Sequence, residues 1–220
     1  MPALNNLRIL IADDHEIVRR GLKSLLSSRP DWIVCAEAST GREAVALAAQ
    51  HRPDIVTMDI AMPGLNGLEA TRQIRKMLPK TNVMILSLHY SDELVREVLD
   101  SGARAYILKS DASRDLLNAV EALANNRPFF TSGAAQILID GFCKPASAPE
   151  HPLMRKSLSA REREIVQLLA EGKSSKEVAV ALGISVKTAE THRANIMRKL
   201  EMHSVSELVR YAVRNTMIEP

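Results

Sequence analysis

The chain has 220 residues, of which 46% are hydrophobic and 25% are charged, values typical of globular proteins and not of disordered or fibrous ones. This length suits two domains better than one. No apolar run approaches the roughly 20 residues of a membrane span, and the amino terminus lacks signal-peptide features, so we expect a cytoplasmic protein without a membrane partner. The two cysteines, Cys35 and Cys143, form no motif, which agrees with a reducing compartment.

The net charge of +3 is unevenly distributed along the chain. Residues 153–220 hold 12 Lys and Arg against 8 Asp and Glu, whereas residues 1–152 hold 17 against 18. A basic carboxyl-terminal segment weakly favours a nucleic acid partner. An ordinary solvated surface explains the same imbalance equally well, so charge alone does not decide the function.

Short apolar runs alternate with helical patterns in the first half of the chain. The runs that read as strands are Leu7–Ala12, Trp32–Ala36, Ile55–Asp59, Val83–Leu88 and Ala105–Leu108. Apolar residues recur at helical spacing after each run, as at Leu94, Val95 and Val98. Five strands that alternate with five helices predict an α/β fold with a doubly wound, five-stranded parallel sheet.

The pattern changes after Phe129. Residues 131–142 are compatible with a short helix, and three prolines fall within residues 145–152, a composition typical of a linker. We therefore expect a first domain at 1–127, a linker at 128–152 and a second domain at 153–220.

The second domain is expected to be all-α, because its Ser and Glu residues recur at the spacing of helix capping boxes. The pairs are Ser159 with Glu162, Ser174 with Glu177, and Ser204 with Glu207. They predict helices at about 160–171, 175–182, 186–200 and 204–214. Residues 183–185 form a turn short enough for a helix-turn-helix.

Polar and charged residues end four of the five predicted strands. Asp13 and Asp14 follow the first strand, Asp59 ends the third, Ser87 lies at the end of the fourth, and Lys109 follows the fifth. In a parallel sheet these ends meet at one edge, where ligands bind. Three carboxylates there would repel by about 4 kcal/mol per pair at an effective dielectric of roughly 20, which a Mg²⁺ or Mn²⁺ ion would offset. Such a site suits phosphoryl transfer to a carboxylate.

Residues 7–125 resemble the flavodoxin-like receiver domain of two-component response regulators, through the residues at these strand ends. The resemblance implies that Asp59 accepts a phosphoryl group from a sensor histidine kinase. It implies metal ligation by Asp14, Asp59 and the backbone carbonyl of Ala61, with Asp13 acting through water.

The resemblance also implies a set of residues that sense the phosphoryl group: Ser87, Tyr106 and Lys109. Leu88 departs from the usual pattern, in which alanine is common, and is expected to narrow access to the phosphoryl group. Ala61 and His89 occupy positions that tune dephosphorylation in such domains, so the lifetime of the phosphoryl group does not carry over.

Residues 158–214 resemble the LuxR-type helix-turn-helix of the NarL/FixJ class of response regulators. The likeness lies in the stretches LSARERE at 158–164, SKEVA at 175–179 and TAETHRANIMRKL at 188–200. Together the two resemblances imply a transcription regulator, not an enzyme beyond slow loss of its own phosphoryl group. They imply that it binds operator DNA as a homodimer, with RNA polymerase as a further candidate partner.

The helix at 186–200 is expected to enter the major groove of DNA, with an inner stripe of Val186, Ala189, Ile196 and Leu200. The residues expected to contact DNA are Lys176, Lys187, Thr188, Glu190, Thr191, His192, Arg193 and Ala194. Glu190 and Ala194 stand where Lys or Arg is common in the family; Glu can accept from cytosine N4, and Ala can contact a thymine methyl group. A solvated helix face is the alternative for any such pattern taken alone.

The last helix carries four apolar residues that we expect at a dimer interface: Val205, Leu208, Val209 and Ala212. The class uses its last helix for dimerisation, and this one is more apolar than a small domain requires. Packing inside the domain is the alternative explanation for part of that face.

Two other functions are compatible with parts of the pattern. A Mg²⁺-dependent phosphohydrolase could use Asp59 with Lys109, but Ala61 stands where a second acid would be needed. The other alternative is a DNA-binding protein that is independent of phosphorylation and whose receiver is only a dimerisation module. The intact set of acidic residues, Ser87 and Lys109 argues against it.

Overall fold

The computed structural model describes residues 6–88, 90–131, 158–215 and 217–218. The chain divides into two compact units, residues 1–143 and 144–220. Most of the expected linker, its candidate helix and His89 lie outside the described residues. Among the described helices, none is both long and apolar enough to cross a membrane.

The first unit contains one parallel sheet. Its strands are β1 (Leu7–Ala12), β2 (Trp32–Ala38), β3 (Ile55–Asp59), β4 (Asn82–Ser87), β5 (Ala105–Leu108) and β6 (Phe129–Phe130). They lie in the order β2-β1-β3-β4-β5-β6, and every neighbouring pair is parallel. This order confirms the doubly wound fold, and its switch point lies between β1 and β3.

The sheet has six strands where the sequence predicted five. The additional strand, β6, consists of two residues that pair with Ala105 and Tyr106 of β5. Its first residue, Phe129, donates its backbone N–H to Arg104 O at 3.0 Å. Two residues are too few to show an alternating pattern, so β6 is held by its neighbour and by packing of both phenylalanines on the cores.

Five α-helices among the described residues of this unit cover the two faces of the sheet. They are α1 (Glu16–Leu26), α2 (Gly41–His51), α3 (Gly67–Met77), α4 (Asp92–Asp100) and α5 (Ala112–Ala124). Side chains at Thr40, Asn66 and Ser91 cap α2, α3 and α4 by accepting a backbone N–H three residues on. Successive strand residues enter opposite cores, as Leu10 and Ile11 do, which is why these strands read as continuous apolar runs.

The second unit contains four described helices. They are α6 (Ala160–Ala170), α7 (Ser175–Leu182), α8 (Val186–Lys199) and α9 (Val205–Arg214). Gly183 ends α7 in the left-handed conformation, with φ of 64°, and the Ser185 side chain caps α8. This short turn confirms the helix-turn-helix.

Two of the three expected capping boxes are complete, those of Ser159 and Ser174. At the third, Ser204 accepts from the Glu207 backbone N–H, but the Glu207 carboxylate accepts from His203 N at 2.8 Å. The glutamate therefore bonds one residue further back than the capping-box spacing predicts.

Candidate functional site

The carboxyl ends of β1, β3 and β5 bring three charged side chains together. Lys109 Nζ lies 2.8 Å from Asp13 Oδ2 and 3.0 Å from Asp59 Oδ1. The three side chains are almost fully buried, with exposures of 9% for Lys109, 0% for Asp13 and 3% for Asp59. One ammonium between two carboxylates leaves one negative charge uncompensated. Such a buried charge without a partner is costly.

Asp59 has two inequivalent oxygens. Oδ1 accepts from the Ile60 backbone N–H at 2.9 Å and pairs with Lys109. Oδ2 is buried and accepts no hydrogen bond from any described residue. Burial raises the pKa of Asp59 to about 6; Lys109 opposes this rise and the charge of Asp13 adds to it. Asp59 therefore has one buried oxygen to which no described residue donates a hydrogen bond.

The pKa of Lys109 is also raised, although burial alone would lower it. Burial acts to lower the pKa of its ammonium group, but the carboxylates of Asp13 and Asp59 outweigh burial and the net pKa is raised. Lys109 therefore stays charged and can attract an anion that approaches Asp59.

The donors around Asp59 fit a divalent cation. One carboxylate oxygen from each of Asp13, Asp14 and Asp59 and one ring nitrogen of His15 all lie within 4.8 Å of one another. Asp14 is 31% exposed and forms the outer rim, while the unpaired Oδ2 of Asp59 lies inside. Oxygen donors of this kind suit Mg²⁺ or Mn²⁺. Sequence reasoning missed His15, although it directly follows the two aspartates.

Ala61 lies in the loop that follows Asp59, and close backbone contacts hold this loop in place. The Gly67 N–H donates to Ile60 O at 2.8 Å, and a Cβ atom at Gly67 would lie 1.8 Å from Asp59 O. A Cβ at Gly41 would lie 2.0 Å from Leu65 O. Only glycine permits these approaches, which fix the loop against the starts of α2 and α3.

Ser87 and Tyr106 are linked beside this pocket. Ser87 ends β4 with 3% exposure, and Tyr106 in β5 is fully buried. Burial raises the pKa of Tyr106 to about 12, and its hydrogen bond to Ser87 opposes the rise. Leu88, the next residue along the chain, is 59% exposed. A change at the Ser87 hydroxyl can therefore reach the buried ring through one hydrogen bond.

The residues expected to contact DNA lie on α7 and α8. Lys176, Lys187, Thr188, Glu190, Thr191 and Ala194 are exposed, and His192 and Arg193 are half-buried. The inner stripe of α8 contains Ala189 and Ile196, both buried, and the half-buried Leu200 that follows the helix. Val186 was expected inside but is 38% exposed, because it lies in the first turn at the edge of the core.

An open groove of about 590 Å³ runs beside α8 in the second unit. Its walls include Glu190, Arg193 and Ala194 from α8, with Ser204 and Val205 from the start of α9. Met197, Met202 and His203 also line the groove, so charged and apolar side chains share this accessible surface beside α8.

The dimer contact expected on α9 needs correction. Leu208 and Ala212 are 1% and 0% exposed, and they pack in the core of their own unit. Their helical spacing turns them toward α6, so they are not available to a partner molecule. Of the four residues, only Val205, at 43% exposure, and the half-buried Val209 retain accessible surface.

Each of the two units matches a known protein family. Residues 9–121 match the response regulator receiver domain, and residues 156–212 match the bacterial regulatory proteins of the luxR family. The chain is 37% identical over 212 residues to the transcriptional regulatory protein LiaR of Bacillus subtilis strain 168, which covers 96% of this chain and 99% of LiaR. It is 36% identical over 213 residues to the response regulator protein VraR of Staphylococcus aureus strain NCTC 8325, covering 97% and 99% of the two chains.

Among solved structures, RcsB from Salmonella enterica serovar Typhimurium, bound to promoter rprA in the presence of the phosphomimetic BeF₃⁻, is similar at 25% identity. Its TM-score is 0.61, and the match covers 94% of this chain and 98% of the RcsB chain. The family matches, the relatives that span nearly the whole chain and the two observed units agree. The chain belongs to the two-component response regulators that join a receiver domain to a LuxR-type DNA-binding domain, and it is a transcription regulator.

Proposed function

We propose that Asp59 is the phosphoryl acceptor through which a sensor histidine kinase controls this regulator. The observation that supports this most strongly is the buried, unpaired Oδ2 of Asp59 beside the Lys109 ammonium. Asp14, Asp59 and the Ala61 backbone carbonyl would hold Mg²⁺ or Mn²⁺ directly, with Asp13 acting through water. A bound ion would offset negative charge on the carboxylates and on the phosphoryl oxygens.

The residues of the chain account for the transfer in the following way. Asp59 Oδ2 attacks the phosphorus of the donor, the bond from phosphorus to the donor's leaving atom breaks, and an acyl phosphate forms on Asp59. Lys109 donates to a phosphoryl oxygen, and Ser87 offers a second donor. No residue other than the acceptor forms a covalent bond, and the only hydrolysis we assign is slow loss of the phosphoryl group.

We further propose that phosphorylation controls DNA binding by residues 153–220 through the linker at 128–152, with the receiver at 1–127. Val205 and Val209 are the residues of α9 that we retain for a dimer contact on operator DNA. That RcsB has been solved on promoter DNA with a phosphomimetic supports such coupling. Because DNA is the proposed partner, with RNA polymerase as a further candidate, we propose that the protein acts in the cytoplasm.

Labelling with a small phosphodonor tests the acceptor. With acetyl phosphate and Mg²⁺, we expect intact-mass spectrometry to show one added phosphoryl group on the full chain. Chelation of the ion and Asp59→Asn should each abolish the addition, because both remove part of the same site. Asp100→Asn, at an exposed position at the end of α4, is the matched control and should be labelled normally. Full labelling of Asp59→Asn would refute the assignment.

Lys109→Ala should separate phosphorylation from its consequence. Asp59 remains in place, so acetyl phosphate should still label the variant, although more slowly. The variant lacks the ammonium that would donate to a phosphoryl oxygen, so the gain in DNA affinity on phosphorylation should largely disappear. Fluorescence anisotropy with labelled duplex DNA measures this gain. Lys80→Ala, an exposed lysine outside the acidic site, is the control and should behave as wild type; an intact gain in Lys109→Ala contradicts the sensing role.

Substitutions on α8 should separate base reading from phosphate contact. Lys187→Ala should weaken binding to all DNA sequences and lower the salt slope by about one unit, because one phosphate contact is lost. Glu190→Lys should raise general affinity yet reduce discrimination at one base pair by roughly 1–3 kcal/mol, because a possible acceptor for cytosine is lost. Binding to a selected site and to a scrambled duplex at two salt concentrations distinguishes them. An equal change on both duplexes in Glu190→Lys would show that Glu190 reads no base.

A further inference from the structure

His15 stands at the N-cap of α1 but does not cap the helix. Its side chain makes no hydrogen bond to the helix backbone, although this position favours side chains that do. Its ring is directed toward the acidic pair: Nδ1 lies 2.7 Å from Asp14 Oδ1 and 3.5 Å from Asp13 Oδ1. Its backbone N–H also donates to Asp13 Oδ1 at 2.9 Å. The ring nitrogen Nδ1 therefore lies against the carboxylates of both Asp14 and Asp13.

The imidazole and the Lys109 ammonium contact different oxygens of Asp13, Oδ1 and Oδ2. Lys109 is buried and pairs with Asp13 Oδ2 and Asp59 Oδ1. His15 is half exposed, and its ring nitrogen belongs to the set of four ligand atoms that lie within 4.8 Å of one another. The second feature that indicates a cation is the buried Asp59 Oδ2, which accepts no hydrogen bond from any described residue. A cation in this cluster would meet one nitrogen donor besides the oxygens.

A nitrogen donor changes which cation the cluster prefers. Carboxylate and carbonyl oxygens suit Mg²⁺, whereas imidazole suits first-row transition ions such as Co²⁺, Ni²⁺ and Zn²⁺. Mg²⁺ also retains several waters and gains little from an imidazole. The same cluster can therefore bind Mg²⁺ through oxygen alone and a transition ion through oxygen and nitrogen.

We propose that His15 is a metal ligand that shifts the selectivity of the acidic cluster from Mg²⁺ toward first-row transition ions. This inference rests on the proposed metal site of the phosphoryl acceptor and names the residue that sets its metal preference. A transition ion bound in this way competes with Mg²⁺ for Asp14 and Asp59. The phosphorylation step then depends on which divalent ions are available.

Binding of Co²⁺ and Mg²⁺ alone to the full chain, by calorimetry at one fixed pH near neutrality, tests the proposal. His15→Ala should weaken Co²⁺ binding by about tenfold or more, since a direct ligand is lost, and should change Mg²⁺ binding by less than about threefold. His15→Asn, which restores a capping side chain, should show the same selective loss, so a folding defect at α1 is not the cause. His51→Ala is the matched control, because the only described hydrogen bonds of His51 outside its own helix are made by its backbone carbonyl.

Proton NMR of the Co²⁺-loaded chain supplies a direct readout. Wild type and His51→Ala should show hyperfine-shifted imidazole resonances from the cluster, and His15→Ala should lack them. If Co²⁺ and Mg²⁺ weaken by the same factor in His15→Ala, or if the shifted resonances persist there, His15 only positions Asp14 and the proposal fails.

The same titrations separate this failure from failure of the proposed function. Suppose that Mg²⁺ binds wild type but not Asp59→Asn, and that His15→Ala leaves the affinity for Co²⁺ unchanged. Only the inference about His15 is then overturned. If neither ion binds wild type, the metal-assisted acceptor is overturned together with it.

Discussion

Gly67→Ala should be among the most destabilising single substitutions in the receiver. The added Cβ would lie 1.8 Å from Asp59 O and 2.9 Å from Met58 Cγ, so the backbone of β3 or the start of α3 must move. Overpacking against backbone in a buried region costs about 3 kcal/mol or more. The displaced atoms belong to Asp59 itself, so phosphorylation should fall as well.

Gly21→Ala is the matched control for this substitution. Gly21 lies in α1, and outside that helix no described residue has an atom within 4 Å of an added Cβ. Alanine should therefore stabilise the helix by roughly 0.5–1 kcal/mol. Urea unfolding followed by the fluorescence of Trp32, the sole tryptophan, reports on the receiver only. A Gly67→Ala variant as stable as Gly21→Ala would contradict the close approach of α3 to Asp59.

Asp59→Asn should stabilise the receiver at neutral pH when divalent ions are chelated. Burial raises the pKa of Asp59 from 3.8 to about 6, so ionising it costs the folded state. This difference in pKa lowers the free energy of unfolding by about 3 kcal/mol above pH 7. Asparagine carries no charge, so the variant avoids this loss. Lys109 keeps its contact with Asp13 in the variant, so its charge retains a partner.

The pH dependence of this gain has a definite sign. A carboxyl group whose pKa is raised on folding favours the folded state fully below its unfolded pKa, and this contribution is lost as pH rises through the folded pKa. The gain of Asp59→Asn over wild type should therefore be largest at pH 7.5 and fall by about half at pH 5. Urea unfolding at the two pH values measures it, with Asp100→Asn as a control near zero. A gain that grows toward pH 5 would contradict the electrostatics described for the pocket.

The sequence was most informative where one pattern extended over several elements. Continuous apolar runs located β1, β3, β4 and β5, and the residues that ended them located the pocket, because parallel strands end at one edge. Asp13, Asp59 and Lys109 could therefore be placed together from the sequence alone. The turn at Gly183 was equally evident, since a glycine between two helical patterns has few other uses.

The remaining features depend on tertiary contacts that no local pattern reports. The close approach of Gly67 to Asp59 O cannot be read from a glycine that could equally be a simple turn residue. The direction of the His15 ring is set by Asp14, and the N-cap position alone predicts a different role. Leu208 and Ala212 have the composition of an interface and of a core alike, and only the position of α6 decides between them. The two residues of β6 are too few to form a pattern.

Chemical mapping of the phosphoryl group tests the central claim, that Asp59 is the acceptor, most directly. Borohydride reduces an aspartyl phosphate to homoserine, which peptide mass spectrometry can locate in the chain. After treatment of wild-type protein with acetyl phosphate and Mg²⁺, homoserine should be found at position 59 alone, and omission of Mg²⁺ should remove it. Homoserine at Asp13, Asp14 or another position, with Asp59 unmodified, would contradict the account.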